Sequence, residues 1–181
     1  TVMVINFLAL GLIWAYVQRS YPSFEAARYW TGSAFMCATA AAVATLRGAM
    51  DESLLPMLAA GTIMVLATCL AAMGIRCFYE KEINWERTAL ITANAFLGMG
   101  FFIYVHDSAP ARLTIFTVAQ ALPLVLSLKM LLSPPDGRKN AGAQLAGIVV
   151  ILIVTIYSLR LMAGLTGAAG GVAFTNYSQF Q

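Results

Sequence analysis

Long apolar runs with almost no charge alternate with short charged clusters along this chain. Six runs of 16 to 22 residues stand out, at positions 2–17, 29–46, 54–75, 88–105, 113–132 and 145–162. An α-helix rises about 1.5 Å per residue, so roughly 20 residues cross the 30 Å hydrocarbon core of a bilayer. The runs lack the period-two alternation of membrane strands. The pattern therefore predicts six membrane-spanning helices.

The connections between the runs are short, which leaves no room for a separate soluble domain. We expect an all-α integral membrane protein whose transmembrane helical bundle covers residues 1–165. Residues 166–181 are first rich in Gly and Ala, then polar, and carry no charge. We interpret this tail as an extracytoplasmic linker that leads to a seventh helix, and expect the natural protein to continue past Gln181.

Composition supports a lipid environment. Hydrophobic residues make up 60% of the chain, charged residues 10%, and the mean hydropathy is +0.78, whereas a soluble domain carries roughly 25% charged residues. The net charge of +3 contains no basic block, which argues against a nucleic-acid partner. The expected partners are the lipid bilayer and other membrane helices, in a homodimer or a larger complex.

Lys and Arg are unevenly divided between the two sides of the predicted bundle. Loops 1–2, 3–4 and 5–6 share eight of them: Arg19, Arg28, Arg76, Lys81, Arg87, Lys129, Arg138 and Lys139. The opposite side holds three, Arg47, Arg112 and Arg160. Because cytoplasmic loops are enriched in Lys and Arg, the side with eight should be cytoplasmic and the N-terminus outside.

Polar residues within the runs are the candidates for binding. Asn94, Gln120, Thr62 and Thr92 are expected either to make interhelical hydrogen bonds or to line a pocket for an apolar or amphiphilic ligand. His106 and Asp107 end the fourth run. This pair is either a solvated helix end or a pH-sensitive site.

Small residues and one proline suggest how the helices pack. Gly98, Gly100 and Ala41 would allow close helix–helix contact, and Pro123 in the fifth run is a candidate hinge. No Asp or Glu lies within a run, which argues against an ion-coupled transporter. The pattern predicts no catalytic residue, no metal site and no cofactor.

Four segments near the helix ends stand out: residues 19–30, Leu46-Arg47-Gly48, Gly74-Ile75-Arg76-Cys77-Phe78, and Arg112 with Leu131-Leu132. Together they resemble the N-terminal membrane region of bacterial GGDEF-domain proteins, the diguanylate cyclases. The resemblance covers about residues 1–165, while the GGDEF sequence itself is absent. No cyclase residue is therefore carried over, and cyclase activity would require a GGDEF domain after Gln181.

The resemblance implies a sensory or anchoring domain in the bacterial inner membrane that regulates a cytoplasmic GGDEF output and works as a dimer. The alternative is a non-catalytic accessory subunit of a larger respiratory or photosynthetic membrane complex. A stoichiometric partner would favour the accessory subunit, and a coding region extending well past Gln181 would favour the sensory domain.

Overall fold

Six α-helices make up almost all of the described chain. The computed structural model describes residues 2–46, 54–132 and 141–165. The helices are α1 (Val2–Ser20), α2 (Ala26–Leu46), α3 (Leu55–Phe78), α4 (Trp85–Tyr104), α5 (Ala109–Leu132) and α6 (Ala141–Leu165). Within these residues there is no strand, so the predicted all-α class is confirmed. The predicted tail, 166–181, and the residues Arg47 and Gly48 lie outside the described part.

Each helix overlaps one predicted run, but several begin earlier. Helix α4 begins at Trp85 because the Asn84 side chain accepts a hydrogen bond from the Arg87 backbone N–H, at 2.8 Å. This is an N-cap interaction, and it adds a polar first turn that an apolar run does not reveal. Helix α5 begins at Ala109, and Pro110 occupies its first turn, where a proline is tolerated.

Helix α3 is the centre of the fold. It packs against α2, α4 and α5, whereas α1 packs mainly on α2 and α6 mainly on α5. The main buried cluster joins α3, α4 and α5 through Val65, Cys69, Ala95, Met99 and Ala119. A second cluster joins α5 and α6.

Helices α3 and α4 run antiparallel along their whole length. Thr88 at the start of α4 contacts Met73 near the end of α3. Gly100, near the end of α4, faces Leu58 at the start of α3. The two ends of α4 therefore lie beside the two ends of α3.

Four of the described helices, α1, α3, α5 and α6, are long and apolar enough to cross a membrane. Helices α2 and α4 are not among them. The first half of α2 contains Arg28, Thr31 and Ser33, and α4 contains Glu86, Arg87 and Asn94, which makes both helices less apolar.

Candidate functional site

An aromatic cluster joins α1, α2 and α3 where the α1–α2 connection meets the end of α3. It consists of Trp14, Phe24, Trp30, Phe78 and Tyr79. Trp30 is at its centre, with ring centroids 4.6 Å from Trp14 and 5.6 Å from Phe24. Phe24 also meets the edge of Phe78 at 6.0 Å. Such tilted and edge-to-face pairs stabilise by about 0.5–1.5 kcal/mol beyond the area that they bury.

The indole of Trp30 lies directly on the backbone of α3. Its Nε1 donates a hydrogen bond to the Ala71 carbonyl, at 3.3 Å. A Cβ atom at Gly74 would lie 2.4 Å from that Nε1, so a side chain at position 74 would displace the ring. Gly74 is therefore required by a close approach between two helices.

One turn further along α2, Ser33 makes a second bond to the backbone of α3. Its hydroxyl is buried and donates to the Ala67 carbonyl, at 2.8 Å. We call the contact formed by Trp30 and Ser33 with Ala67, Ala71 and Gly74 the α2–α3 seam. Two side-chain donors reach backbone carbonyls across it, so the seam fixes the register of the two helices.

The other side of α3 is open. A groove of about 400 Å³ runs between α3 and α4, and we call it the α3–α4 groove. Its walls are Thr62, Leu66, Trp85, Thr88, Ala89, Thr92, Ala93 and Phe96. Their exposed surface is almost entirely apolar, and the groove is shallow and open, unlike the enclosed clefts that typically bind small molecules.

The three hydroxyls of the groove are not equivalent. Thr62 donates to the Leu58 carbonyl of its own helix, at 2.8 Å. Thr88 makes only a weak bond, 3.4 Å, to the Met73 sulfur. The buried Thr92 hydroxyl makes no hydrogen bond of normal geometry within the described residues, although the Cys69 thiol lies close enough to interact with it. Thr92 is therefore the least satisfied of the three hydroxyls.

The connection between α3 and α4 is tightly turned. Lys81 N–H donates to the Arg76 carbonyl, at 2.9 Å, while Glu80 adopts a left-handed conformation with φ of 52°. This is the usual way to end a helix, although glycine normally occupies the left-handed position. The Arg76 side chain supports the turn by donating to the Glu82 carbonyl, at 2.9 Å.

A second depression, of about 500 Å³, lies between this turn and the α1–α2 connection. Phe24, Phe78, Glu25, Glu80 and Lys81 form part of its wall. It therefore combines aromatic rings of the cluster with charges of both signs, unlike the α3–α4 groove.

A fixed positive charge stands on the first turn of α2. Arg28 donates to the Tyr29 hydroxyl, at 2.8 Å. That hydrogen bond raises the pKa of the guanidinium above its ordinary value, so Arg28 stays charged at every physiological pH.

At the opposite end of α4, Asp107 of the predicted pair contacts a third residue, Arg112, whereas His106 does not. Asp107 forms an ion pair with Arg112, and Arg112 also donates to the Phe102 carbonyl near the end of α4, at 2.8 Å. His106 is exposed and its ring meets that of Phe102 at 6.2 Å. Sequence reasoning missed the role of Arg112, because in the sequence it lies in the first turn of α5 and only the fold brings it to the end of α4.

The predicted pocket residues divide into two groups. Thr62 and Thr92 both line the α3–α4 groove, whereas Asn94 and Gln120 are not part of its wall. Asn94 is exposed on α4, and Gln120 is buried on α5, with 3% of its surface exposed. Trp85 and Thr88 complete the groove. Their spacing from Thr92, at i, i+3 and i+7, was a signal that they share its helix face.

The predicted packing residues lie at or near helix contacts. A Cβ atom at Gly98 would come within 2.9 Å of Ile115 on α5, while one at Gly100 would be 3.9 Å from Leu58 on α3. Ala41 is half-buried on α2.

Pro123, the predicted hinge, is buried within α5, which continues through it as a helix. The carbonyl of Pro123 accepts a hydrogen bond from Ser127 at 2.8 Å.

Within the described ranges, no three His, Cys, Asp or Glu residues are grouped closely enough to hold a metal ion. The arrangement as a whole is suited to binding and packing, since it combines an aromatic cluster, a fixed seam and an open groove. Comparison with family models, with curated proteins and with solved structures finds no match for this chain.

Proposed function

We propose that this chain is a six-span bundle in the bacterial inner membrane that serves as the sensory or anchoring domain of a signalling protein. Its output would be a cytoplasmic GGDEF domain, and its N-terminus would lie outside. The chain itself supplies no catalytic group in this proposal. It holds the output at the membrane and biases its activity.

The register between α3 and α4 supports the count of six spans. Helix α3 meets the length and apolarity needed to cross a bilayer, and α4, with 20 residues, is about 30 Å long. Because Thr88 contacts Met73 and Gly100 faces Leu58, α4 extends from one end of α3 to the other. A helix in that register crosses whatever layer α3 crosses.

The alanines of α2 have a packing explanation. Its span from Tyr29 to Leu46 carries no charge, and its buried residues are mainly alanines. Small residues are enriched where membrane helices pack closely. Helix α2 packs against both α1 and α3, so alanine there is consistent with a crossing helix.

The aromatic cluster is the observation that carries the proposed function. Phe24 and Trp30 belong to the first segment that resembles the GGDEF-associated membrane region, and Gly74 and Phe78 belong to the third. These segments are more than 40 residues apart in sequence, yet Trp30 lies on Gly74 and Phe24 meets Phe78. A shared contact gives a physical reason for both segments to occur together.

The position of the aromatic cluster is suitable for transmitting a change in helix packing to an output domain. The uneven distribution of Lys and Arg favours a cytoplasmic location for this end of the helices, which is where an output domain would attach. A ligand bound in the α3–α4 groove would act only by favouring one packing of the helices over another.

The intact mass of the protein purified from its native source tests the proposal. The chain accounts for 19.4 kDa, and a GGDEF output would bring the mass to roughly twice that value, since a domain of typical size must be added. A mass near 19.4 kDa with a stoichiometric membrane partner would contradict the sensory function and favour the accessory subunit.

Activity of the native-length protein provides the second test. Gly74→Ala should alter its diguanylate cyclase activity, because the substitution disturbs the aromatic cluster, whereas Gly100→Ala should leave the activity unchanged. Equal activity of the two variants in folded protein would show that the cluster does not influence the output.

A further inference from the structure

The outer face of α4 is apolar and uncovered. Leu90, Leu97 and Tyr104 have between 63% and 66% of their surfaces exposed, and Phe101 has 49%. Their spacing of three, four and seven residues places them on one side of the helix. Asn94 is exposed at the edge of the same side, and it is the tenth of the twenty residues of α4.

Exposed hydroxyl groups elsewhere on the helices are satisfied internally. Thr39, Thr114, Thr155 and Ser158 each donate to a carbonyl four residues earlier, at 2.8 to 2.9 Å. A hydroxyl bonded in this way leaves no donor unused. These residues therefore need no partner outside their own helix.

Asn94 differs because its amide has more hydrogen-bonding capacity than one such bond can use. Its Nδ2 donates to the Leu90 carbonyl, at 2.8 Å. The amide has a second N–H and a carbonyl oxygen with two lone pairs, and neither makes a hydrogen bond within the described residues. Three of the four hydrogen-bonding positions of the amide are thus left unused, halfway along the helix at the edge of an apolar face.

This inference rests on the proposed function, since it requires that α4 spans the bilayer. At the middle of a spanning helix no water is available to the amide, and an unsatisfied polar group in hydrocarbon is unfavourable. Side-chain amides in this position form hydrogen bonds between helices. The amide therefore calls for a polar partner at the same depth.

We propose that the outer face of α4 binds a second copy of this chain, with the two Asn94 amides hydrogen-bonded to each other across a two-fold axis. A carboxamide both donates and accepts, so the same group at the same depth satisfies it. In a two-fold dimer only residues close to the axis meet their own equivalents, so this arrangement places Asn94 at the axis. Ala93 beside Asn94 lets the two backbones approach, and Leu90 and Leu97 pack above and below the amides.

The test uses the full chain in lipid vesicles with Cys37, Cys69 and Cys77 replaced by alanine. Self-association is measured by energy transfer between labelled copies at several protein-to-lipid ratios. Asn94→Leu should weaken association about 5- to 30-fold, which corresponds to the loss of an interhelical hydrogen bond of about 1–2 kcal/mol. The control Thr155→Val should leave association unchanged, because the hydroxyl of Thr155 is already bonded within α6.

Disulfide formation locates the contact. Leu97→Cys on α4 should give a covalent dimer with twice the mass of the chain, whereas Leu152→Cys, similarly exposed on α6, should remain monomeric. Equal cross-linking at both positions, or an unchanged association constant in Asn94→Leu, would overturn the proposed dimer. A cross-link in native membranes to a protein of different mass would overturn the second copy as the occupant.

Failure of the dimer and failure of the six-span arrangement give different results. In the Leu97→Cys protein kept reduced, a membrane-impermeant maleimide should not reach position 97 until detergent is added. Rapid labelling in intact vesicles would mean that α4 does not span, and the proposed function itself would fail. No labelling together with no effect of Asn94→Leu would contradict the dimer alone.

Discussion

The two sides of α3 are built differently. Towards α2, Trp30 and Ser33 donate to the backbone carbonyls of Ala71 and Ala67, and Gly74 lets the indole lie against the helix. Towards α4, the surfaces separate into a groove of about 400 Å³. The buried hydroxyl of Thr92 there makes no hydrogen bond of normal geometry within the described residues. One helix thus has a closed seam on one side and an open contact on the other.

This difference indicates which helix–helix contact is rigid and which can rearrange. Two helices joined by small residues and side-chain-to-backbone bonds have one favoured register, because sliding would break every bond together. A contact with a groove and an unsatisfied hydroxyl has less to lose when it rearranges. We therefore expect a ligand or a change in the membrane to act on the α3–α4 groove and not on the α2–α3 seam.

Gly74→Ala should break the seam and have the largest effect on stability. The new methyl group would lie 2.4 Å from Trp30 Nε1, so the ring must move and lose its bond to Ala71. Overpacking of this kind costs about 1–3 kcal/mol, and we expect a loss of unfolding free energy near the upper end. Titration of the detergent-solubilised protein with sodium dodecyl sulfate measures it.

Gly100→Ala is the matched control for that experiment. The nearest atom to a Cβ at Gly100 is 3.9 Å away, on Leu58, which is ordinary van der Waals contact. Its unfolding free energy should stay within about 0.5 kcal/mol of the parent protein. Equal losses in the two variants would show that the seam is no tighter than the open side.

Glu80→Gly should stabilise the turn that links α3 to α4. Glu80 has a φ of 52°, and a left-handed conformation costs a residue with a Cβ about 1–2 kcal/mol. After the greater chain entropy of glycine is subtracted, we expect a gain of about 1 kcal/mol in the same titration. A loss of stability on this substitution would mean that the Glu80 side chain supports the turn.

Thr92→Val should raise the unfolding free energy, by stabilising the contact between α3 and α4. Valine has nearly the shape of threonine, and the substitution removes a buried hydroxyl that makes no hydrogen bond of normal geometry within the described residues. Replacing an unsatisfied polar group by an apolar one is neutral or stabilising, so we expect a gain of about 0.5–1 kcal/mol. A loss instead would show that the hydroxyl is already bonded in the membrane.

Ser33→Ala should give the smallest effect, with the opposite sign. It removes the bond from Ser33 to Ala67 across the seam, and such bonds between membrane helices contribute about 0.6 kcal/mol on average. Ser158→Ala is the control, because that hydroxyl is exposed and bonds only within α6. If both variants lose the same free energy, the bond of Ser33 across the seam contributes nothing of its own.

Much of the helical architecture follows from the sequence, because long apolar runs have few other structures available to them. The boundaries were less predictable. Trp85, Glu86 and Arg87 belong to α4 because Asn84 caps it. A search for apolar runs does not detect this first turn, since it is polar. The last turn of α3 likewise depends on Arg76 and Glu80 acting together.

The face of each helix was harder to predict than its existence. In a soluble helix polar residues mark the outer side, but here both sides are apolar and that contrast is absent. Asn94 and Gln120 therefore looked equivalent in the sequence, although one is exposed and the other is buried. The contact of Trp30 with Gly74 depends on the register between two helices, which neither segment specifies alone.

Sided labelling across α4 tests the central proposal, a six-span bundle, most directly. Glu82→Cys and His106→Cys, each in a chain without native cysteines, flank α4 and are exposed. In intact cells a membrane-impermeant maleimide should label position 106 from outside, whereas position 82 should be labelled only after the membrane is opened. Labelling of both positions from the same side would mean that α4 does not cross, and would contradict the six-span arrangement.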